Sequence, residues 1–289
     1  MKNMTVNIYF FRNTQKGRIE FEELVKYFMD TPNFEIFYND TELNMVYNDT
    51  EFGFKYMYKK TKVSQVENIW RLDPSYLNLN FILCLPILIP AFAAKEILTF
   101  AQKLAKLFDL QVYHESYDDV KQFNIADLYS VFSNAQRAYL SENTVKEKVF
   151  YDANKLNTIC KYQRSLDSYV DSFQNEVDVH PCVPIIDRAN SEFGICSTWT
   201  VGVPTLFVPH FDFVNVKDSE GEEFYIRRAD FMHVMDKYLT KVDNDLPDMY
   251  YIKAKAAKQS RGLSGRLRRY AVVDQVFEQL PICDLLDRY

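Results

Sequence analysis

The chain has 289 residues, with 34 Lys+Arg against 40 Asp+Glu for a formal net charge of −6, and it is 47% hydrophobic and 16% aromatic. This excludes a disordered or low-complexity polypeptide, and the length suffices for two compact units. Cys84, Cys160, Cys182, Cys196 and Cys283 are widely spaced, odd in number and never in a CxxC pair, which excludes a disulfide framework read from spacing and points to reduced thiols.

Met1 to Thr5 lacks the basic region, apolar core and small-residue cleavage site of a secretory signal, so a cytoplasmic location is expected. Thr5 to Phe11 alternates as a strand. Ile19, Leu24, Val25 and Phe28 then lie along one side of a helix that Thr31-Pro32 ends. Three aromatic strands follow at Phe34 to Tyr38, Leu43 to Tyr47 and Phe52 to Lys59, separated by Asn39-Asp40 and Asn48-Asp49, the pattern of an antiparallel meander. The longest apolar run, Leu77 to Ala94, has the length of a membrane span. It contains Asn78, Asn80, Pro86 and Pro90, and its opening alternation predicts a buried strand and a turn, with no membrane association. A helix over Ala91 to Phe108 and a short strand at Gln111 to His114 complete a second β-then-α half, consistent with a ferredoxin-like β-α-β arrangement.

Ile125 to Leu140 and Thr144 to Val170 lack Gly and Pro and predict helices. After Asp178 short β-rich segments appear at Cys182 to Asp187, Gly194 to Thr200 and Thr205 to Val216, for which an antiparallel sheet is the natural solution. A helix at Arg227 to Leu239, a strand near Met249 to Lys253 and a helix from Gly265 to Leu280 close the chain. The expectation is an α+β protein: an N-terminal mixed unit over 1–142, a helical connector over 143–178, and a C-terminal α+β unit over 179–289 that ends in a basic helix.

Charge is segregated. From Met249 to Val273 there is no acid, while Lys253, Lys255, Lys258, Arg261, Arg266, Arg268 and Arg269 supply seven positive charges; without them 27 bases face 40 acids. A local positive potential on an acidic chain suits an acidic protein surface, a phosphate-bearing ligand or a nucleic-acid strand, unless the segment docks on acidic groups of its own chain. Ser260 to Gly265 offers hydroxyls and backbone N–H groups at a helix start, although its glycine spacing is not that of a phosphate-binding P-loop.

Two other groups carry chemistry. In the segment Thr205 to Val216, alternation places His210 and Asp212 on one face of an apolar stripe, where the carboxylate would orient the imidazole as a general base. His180 and Cys182 could add N and S ligands, but the spacing matches no diagnostic metal motif, so neither a metal nor another cofactor is expected. His233 sits among apolar helix residues as a packed or surface side chain. The acids Asp218, Glu220, Glu222 and Glu223 around Gly221 read as a solvated hairpin turn, and Asp243, Asp245 and Asp248 as a loop that pairs with the basic end.

No motif names a reaction. The chain is therefore expected to be a soluble, non-enzymatic interaction protein, regulatory or inhibitory and compatible with an immunity- or defence-type role. The alternatives are an enzyme on a phosphate-containing substrate, using His210 and Asp212 with the C-terminal arginines, and a nucleic-acid binder acting through 253–269.

Overall fold

A computed structural model describes residues 4–17, 19–243 and 246–289; Met1 to Asn3 and Asp245, used in the sequence reading, lie outside it. The fold is α+β. Its contacts divide the chain into one unit of Met1–Phe150 with Cys283–Leu286, and a second of Tyr151–Ile282 with Asp287–Tyr289.

In the first unit the order is β1 (Thr5–Asn13), α1 (Phe21–Met29), β2 (Phe34–Tyr38), β3 (Glu42–Asn48), β4 (Lys55–Thr61), β5 (Tyr76–Pro86), α2 (Ala91–Leu107), β6 (Leu110–Tyr113), β7 (Lys121–Gln122) and α3 (Ile125–Glu142), and β8 (Val149–Asp152) spans the division at Phe150. Strands β1 to β7 form one sheet in the order β2-β3-β4-β5-β1-β6-β7, and every neighbouring pair is antiparallel. Following the alternation of direction, β5 and β6 run the same way on either side of β1, so β5-α2-β6 is a split β-α-β unit, and β1-α1-β2 is a wider one.

The period-2 pattern gives the sheet two apolar faces. Ile8, Phe10, Tyr58, Phe81 and Leu83 face Phe28 of α1 and Phe100 of α2, with ring centroids 5.0–6.2 Å apart at Tyr58–Phe28 and Tyr58–Phe100. Tyr9, Phe11, Ile82 and Tyr113 face the other way and are covered by Val66 and Leu72 of the loop before β5. Helix α3 packs on α2, and its buried Gln136 donates to the carbonyls of Ile87 and Ile89 at 2.7 and 3.1 Å, satisfying the turn that follows β5. Among the described residues no helix is long and apolar enough to cross a membrane, and the Leu77–Ala94 run is strand, turn and helix start.

The second unit contains α4 (Ala153–Arg164), α5 (Leu166–Ser172), β9 (Asp178–Val179), β10 (Val183–Asp187), β11 (Glu192–Thr200), β12 (Thr205–Phe207), β13 (Phe213–Lys217), β14 (Glu223–Arg227), α6 (Arg228–Met235), β15 (Leu239–Lys241), β16 (Tyr250–Ile252), α7 (Ala254–Ser260), α8 (Ser264–Arg268) and β17 (Glu278–Gln279). The last strand is β18 (Leu285–Arg288). Strands of this unit form two sheets, β14-β13-β11-β10-β17 and β15-β16-β12-β9, and side chains from both sheets join those of α6 and α8 in a core that includes Trp199, Phe207, Phe211, Val214, Phe231 and Leu267.

Four expectations are corrected here. The C-terminal sheet is mixed rather than antiparallel: β11 leaves through β12, which belongs to the other sheet, and the chain returns as β13 parallel to β11. The single strand Thr205 to Val216 is two, because His210 between them takes a left-handed φ of 56° that breaks the alternation. The helix expected over Thr144 to Val170 contains β8, where Val149, Phe150 and Tyr151 favour strand.

The basic C-terminal helix expected over Gly265 to Leu280 stops at Arg268. Beyond it, Val272 donates its N–H to Tyr225 O, Val272 and Phe277 pack on Ile185, Cys196 and Phe213, and β17 pairs with β10. Burial of those apolar side chains on the sheet outweighs the local helical pattern.

Candidate functional site

The cationic segment is built on a small apolar footing. In α7, Ala257 and Ser260 face the core while Lys255 and Lys258, three apart, stand exposed; Leu263, closing a single 3₁₀ turn, and Leu267 of α8 pack on the core that holds Trp199 and Phe231. The basic side chains fall on the other side. Lys253, Lys255, Lys258, Arg261, Arg266 and Arg269 are all exposed, and among the described residues none of the six has a carboxylate within ion-pair distance. Lys253 lies over the Tyr251 ring at 5.6 Å.

Arg261 folds back over the turn at Gly202, whose φ is +87°. A Cβ there would stand 2.6 Å from Arg261 Nε, so glycine serves both the backbone conformation and the approach of the arginine. Ser260, expected as part of an anion-holding loop, is fully buried and donates its hydroxyl to Ala257 O at 2.8 Å, and α8 has only five residues. The loop reading is therefore set aside. The hydroxyl is spent on the helix.

Arg268 differs from its neighbours. Its guanidinium forks onto Asp218 and Glu222 in the β13–β14 turn and covers the Phe224 ring at 5.6 Å. Burial alone would push the Asp218 carboxyl up, but the N–H groups of Glu220 and Glu222 together with Arg268 hold it below the usual aspartate range. The acidic hairpin is thus the docking point for one of the seven cations, not only a solvated turn.

His210 and Asp212 are not a pair. His210 turns its Nδ1 to Asp248 Oδ2 at 3.0 Å, and the same carboxylate takes a bidentate hydrogen bond from Arg228 at 2.6 and 2.6 Å. Burial would raise the Asp248 carboxyl, yet Arg228 first and then His210 outweigh it and hold it low. Arg228 also lies 4.8 Å over the Phe211 ring, and Asp248, like His210, has a left-handed backbone with φ 64°.

Asp212 has a different task. Its N–H donates to Ile195 O at 2.7 Å, its carboxylate accepts Ile195 N–H at 2.9 Å and the Tyr151 hydroxyl at 3.4 Å, and Arg228 N–H bonds its carbonyl. It clamps β13 to β11, and burial raises its pKa.

A carboxylate-held imidazole has the geometry of a base and its orienting group. Among the described residues, however, no Ser, Thr or Cys side chain is bonded to His210, and no hydrogen bond or ion pair links His210 or Asp212 to Arg266, Arg268 or Arg269. His180, Cys182, His210 and Asp212, whose side chains could supply N, S and O ligands, are not gathered either: among the described residues no group of three or more His, Cys, Asp or Glu is placed to hold a metal. Cys182 is buried, its thiol pushed well above the usual range by burial, and its N–H is held by Gln163 at 2.9 Å. His233 packs against Tyr270 with ring centroids 6.5 Å apart.

The sequence reading missed Arg228, and it assigned Asp248 to the basic end rather than to Arg228 and His210. The only signal was indirect: Arg228 opens a helix next to a strand end, and Asp248 follows Pro247 in a loop. Neither spacing announces a contact twenty residues apart. Comparisons with protein-family models, with curated proteins and with solved structures each give no match.

Proposed function

We propose that the chain is a non-enzymatic interaction protein, regulatory or inhibitory in kind, which engages an acidic face of a protein partner through Lys255, Lys258, Arg261, Arg266 and Arg269. The observation that carries this reading is the division of labour inside the basic segment. Arg268 is consumed by Asp218 and Glu222, while the remaining cations stand outward on a footing of Ala257, Leu263 and Leu267. Unpaired cations on a short, ordered surface offer complementarity and steering to an acidic patch. A polyanion is disfavoured because the rest of the chain carries 27 bases against 40 acids. The phosphate-enzyme reading lacks the convergence it requires, since His210 is committed to Asp248 and Arg228.

The test is anisotropy titration of a labelled polyglutamate peptide and of a labelled DNA duplex, with the native chain and with a K255S/K258S/R261S/R266S/R269S variant that keeps Arg268. Salt-sensitive binding of the acidic peptide, weakened by on the order of tenfold or more in the variant, is expected. Equal binding by both proteins overturns the proposal. Tighter binding of the duplex, lost in the variant, transfers the surface to nucleic acid.

A further inference from the structure

In the first unit the helix-covered face of the sheet is wider than the helices that cover it. Cross-strand partners form a continuous row, Tyr38–Leu43–Lys60–Phe81–Phe10, and every member but one is apolar or aromatic. The exception is Lys60. It follows Tyr56 and Tyr58 on the inward face of β4, at a position where an apolar side chain would extend the core.

At this place α1 ends and the sheet continues toward its β2 edge, leaving a groove of about 890 Å³ between them. Val25 and Met29 of α1 line it, with Phe34, Ile36 and Leu43 on the sheet, and Lys60 lines it as well and also borders a second cavity of about 280 Å³ beside Phe81. Met29 is 71% exposed, so the apolar wall is open to a ligand.

Lys60 is half-buried, and among the described residues no carboxylate is within ion-pair distance of it. Glu42 also borders the groove, but Lys59 on the opposite face of β4 holds it at 2.7 Å. Burial lowers the Lys60 pKa from its ordinary value, as expected of an ammonium kept from water without a counter-ion.

A predominantly apolar trough lined by one unpaired, half-buried cation is complementary to a molecule with a hydrocarbon chain and a single carboxylate. The trough supplies dispersion and desolvation along the chain, and the ammonium supplies a charge-assisted hydrogen bond at the head. We infer that this groove is a binding site for a long-chain carboxylate, with Lys60 receiving the carboxylate and Val25, Met29, Ile36 and Leu43 receiving the alkyl chain. Lys62, exposed and also lining the groove, adds a second positive charge beside it. The site is independent of the cationic surface of the second unit and stands or falls separately from it.

The test uses the full chain, freed of lipid, with a fluorescent polyene fatty acid displaced by oleate and, in parallel, by oleyl alcohol. Saturable one-to-one binding is expected. K60M should weaken oleate by on the order of tenfold while leaving the alcohol unchanged, since only the head-group contact is removed. I36W, which fills the trough, should abolish both. No saturable binding by the native chain, K60M binding oleate as the native chain does, or a folded I36W that still binds, each overturns the inference. K60M places an apolar side chain in apolar surroundings and keeps the test decisive if I36W does not fold.

Discussion

Removing the charge of Asp248 tests how the second unit holds its only described histidine–carboxylate–arginine cluster. The side chains of Arg228 and Asp248 are 28% and 25% exposed and form two hydrogen bonds of 2.6 Å, which places the pair between an exposed salt bridge and a buried one. Exposed pairs contribute about 0.2–1 kcal/mol, and removing one partner of a fully buried pair costs about 3–5 kcal/mol, so D248N should cost about 2 kcal/mol. Asparagine is the substitution of choice because it tolerates the left-handed backbone at this position, whereas alanine would add roughly 1–2 kcal/mol of backbone strain. The expected fall in the thermal midpoint is about 4–8 °C.

Trp199, fully buried in the second unit, is the reporter, and W70F removes the background of Trp70, which is 74% exposed. A double-mutant cycle with R228M should return a coupling of about 1.5 kcal/mol, and additivity within about 0.5 kcal/mol would refute the view that the two side chains act as a pair.

R268A should lower the unfolding midpoint of the second unit, read by Trp199 fluorescence, while R266A leaves it unchanged, because only Arg268 is docked on Asp218 and Glu222. G194A should cost about 1–3 kcal/mol in urea unfolding as overpacking, because a Cβ there would stand 2.6 Å from the Phe213 ring and 2.8 Å from Asp212 Cβ. The two aspartates should respond oppositely to acid in pH-dependent urea titrations. Asp248, held low in the folded state, stabilises above the ordinary aspartate value of about 3.9, and that contribution is lost as pH falls through its lower folded value. Asp212, held high, imposes a cost that builds as pH rises through the ordinary value, so the native chain should gain relative to D212N on acidification.

The first unit was legible because its signals are local. Alternation at Thr5 to Phe11, the turn pairs Asn39-Asp40 and Asn48-Asp49 and the helical run from Ala91 each agree with the structure to within a few residues. In the second unit the deciding interactions are distant. His210 breaks a strand by a backbone conformation that alternation cannot register, and Val272 and Phe277 leave the helical pattern for strands distant in sequence, β10, β11, β13 and β14. The cationic residues were visible as a charge run, but which of them is spent internally depends on Asp218 and Glu222, a contact set by the fold. The row that isolates Lys60 was hidden for the same reason: its neighbours Leu43 and Phe81 become neighbours only through strand register.

The most direct test of the cationic surface is affinity capture from extracts of the native host, using in parallel the native chain and the five-site variant that retains Arg268, with nuclease treatment of both. A protein held by the native chain, resistant to nuclease, released by raised salt and absent from the variant is the predicted result. Identical capture by the two chains, or retention of nuclease-sensitive nucleic acid alone, would contradict the account.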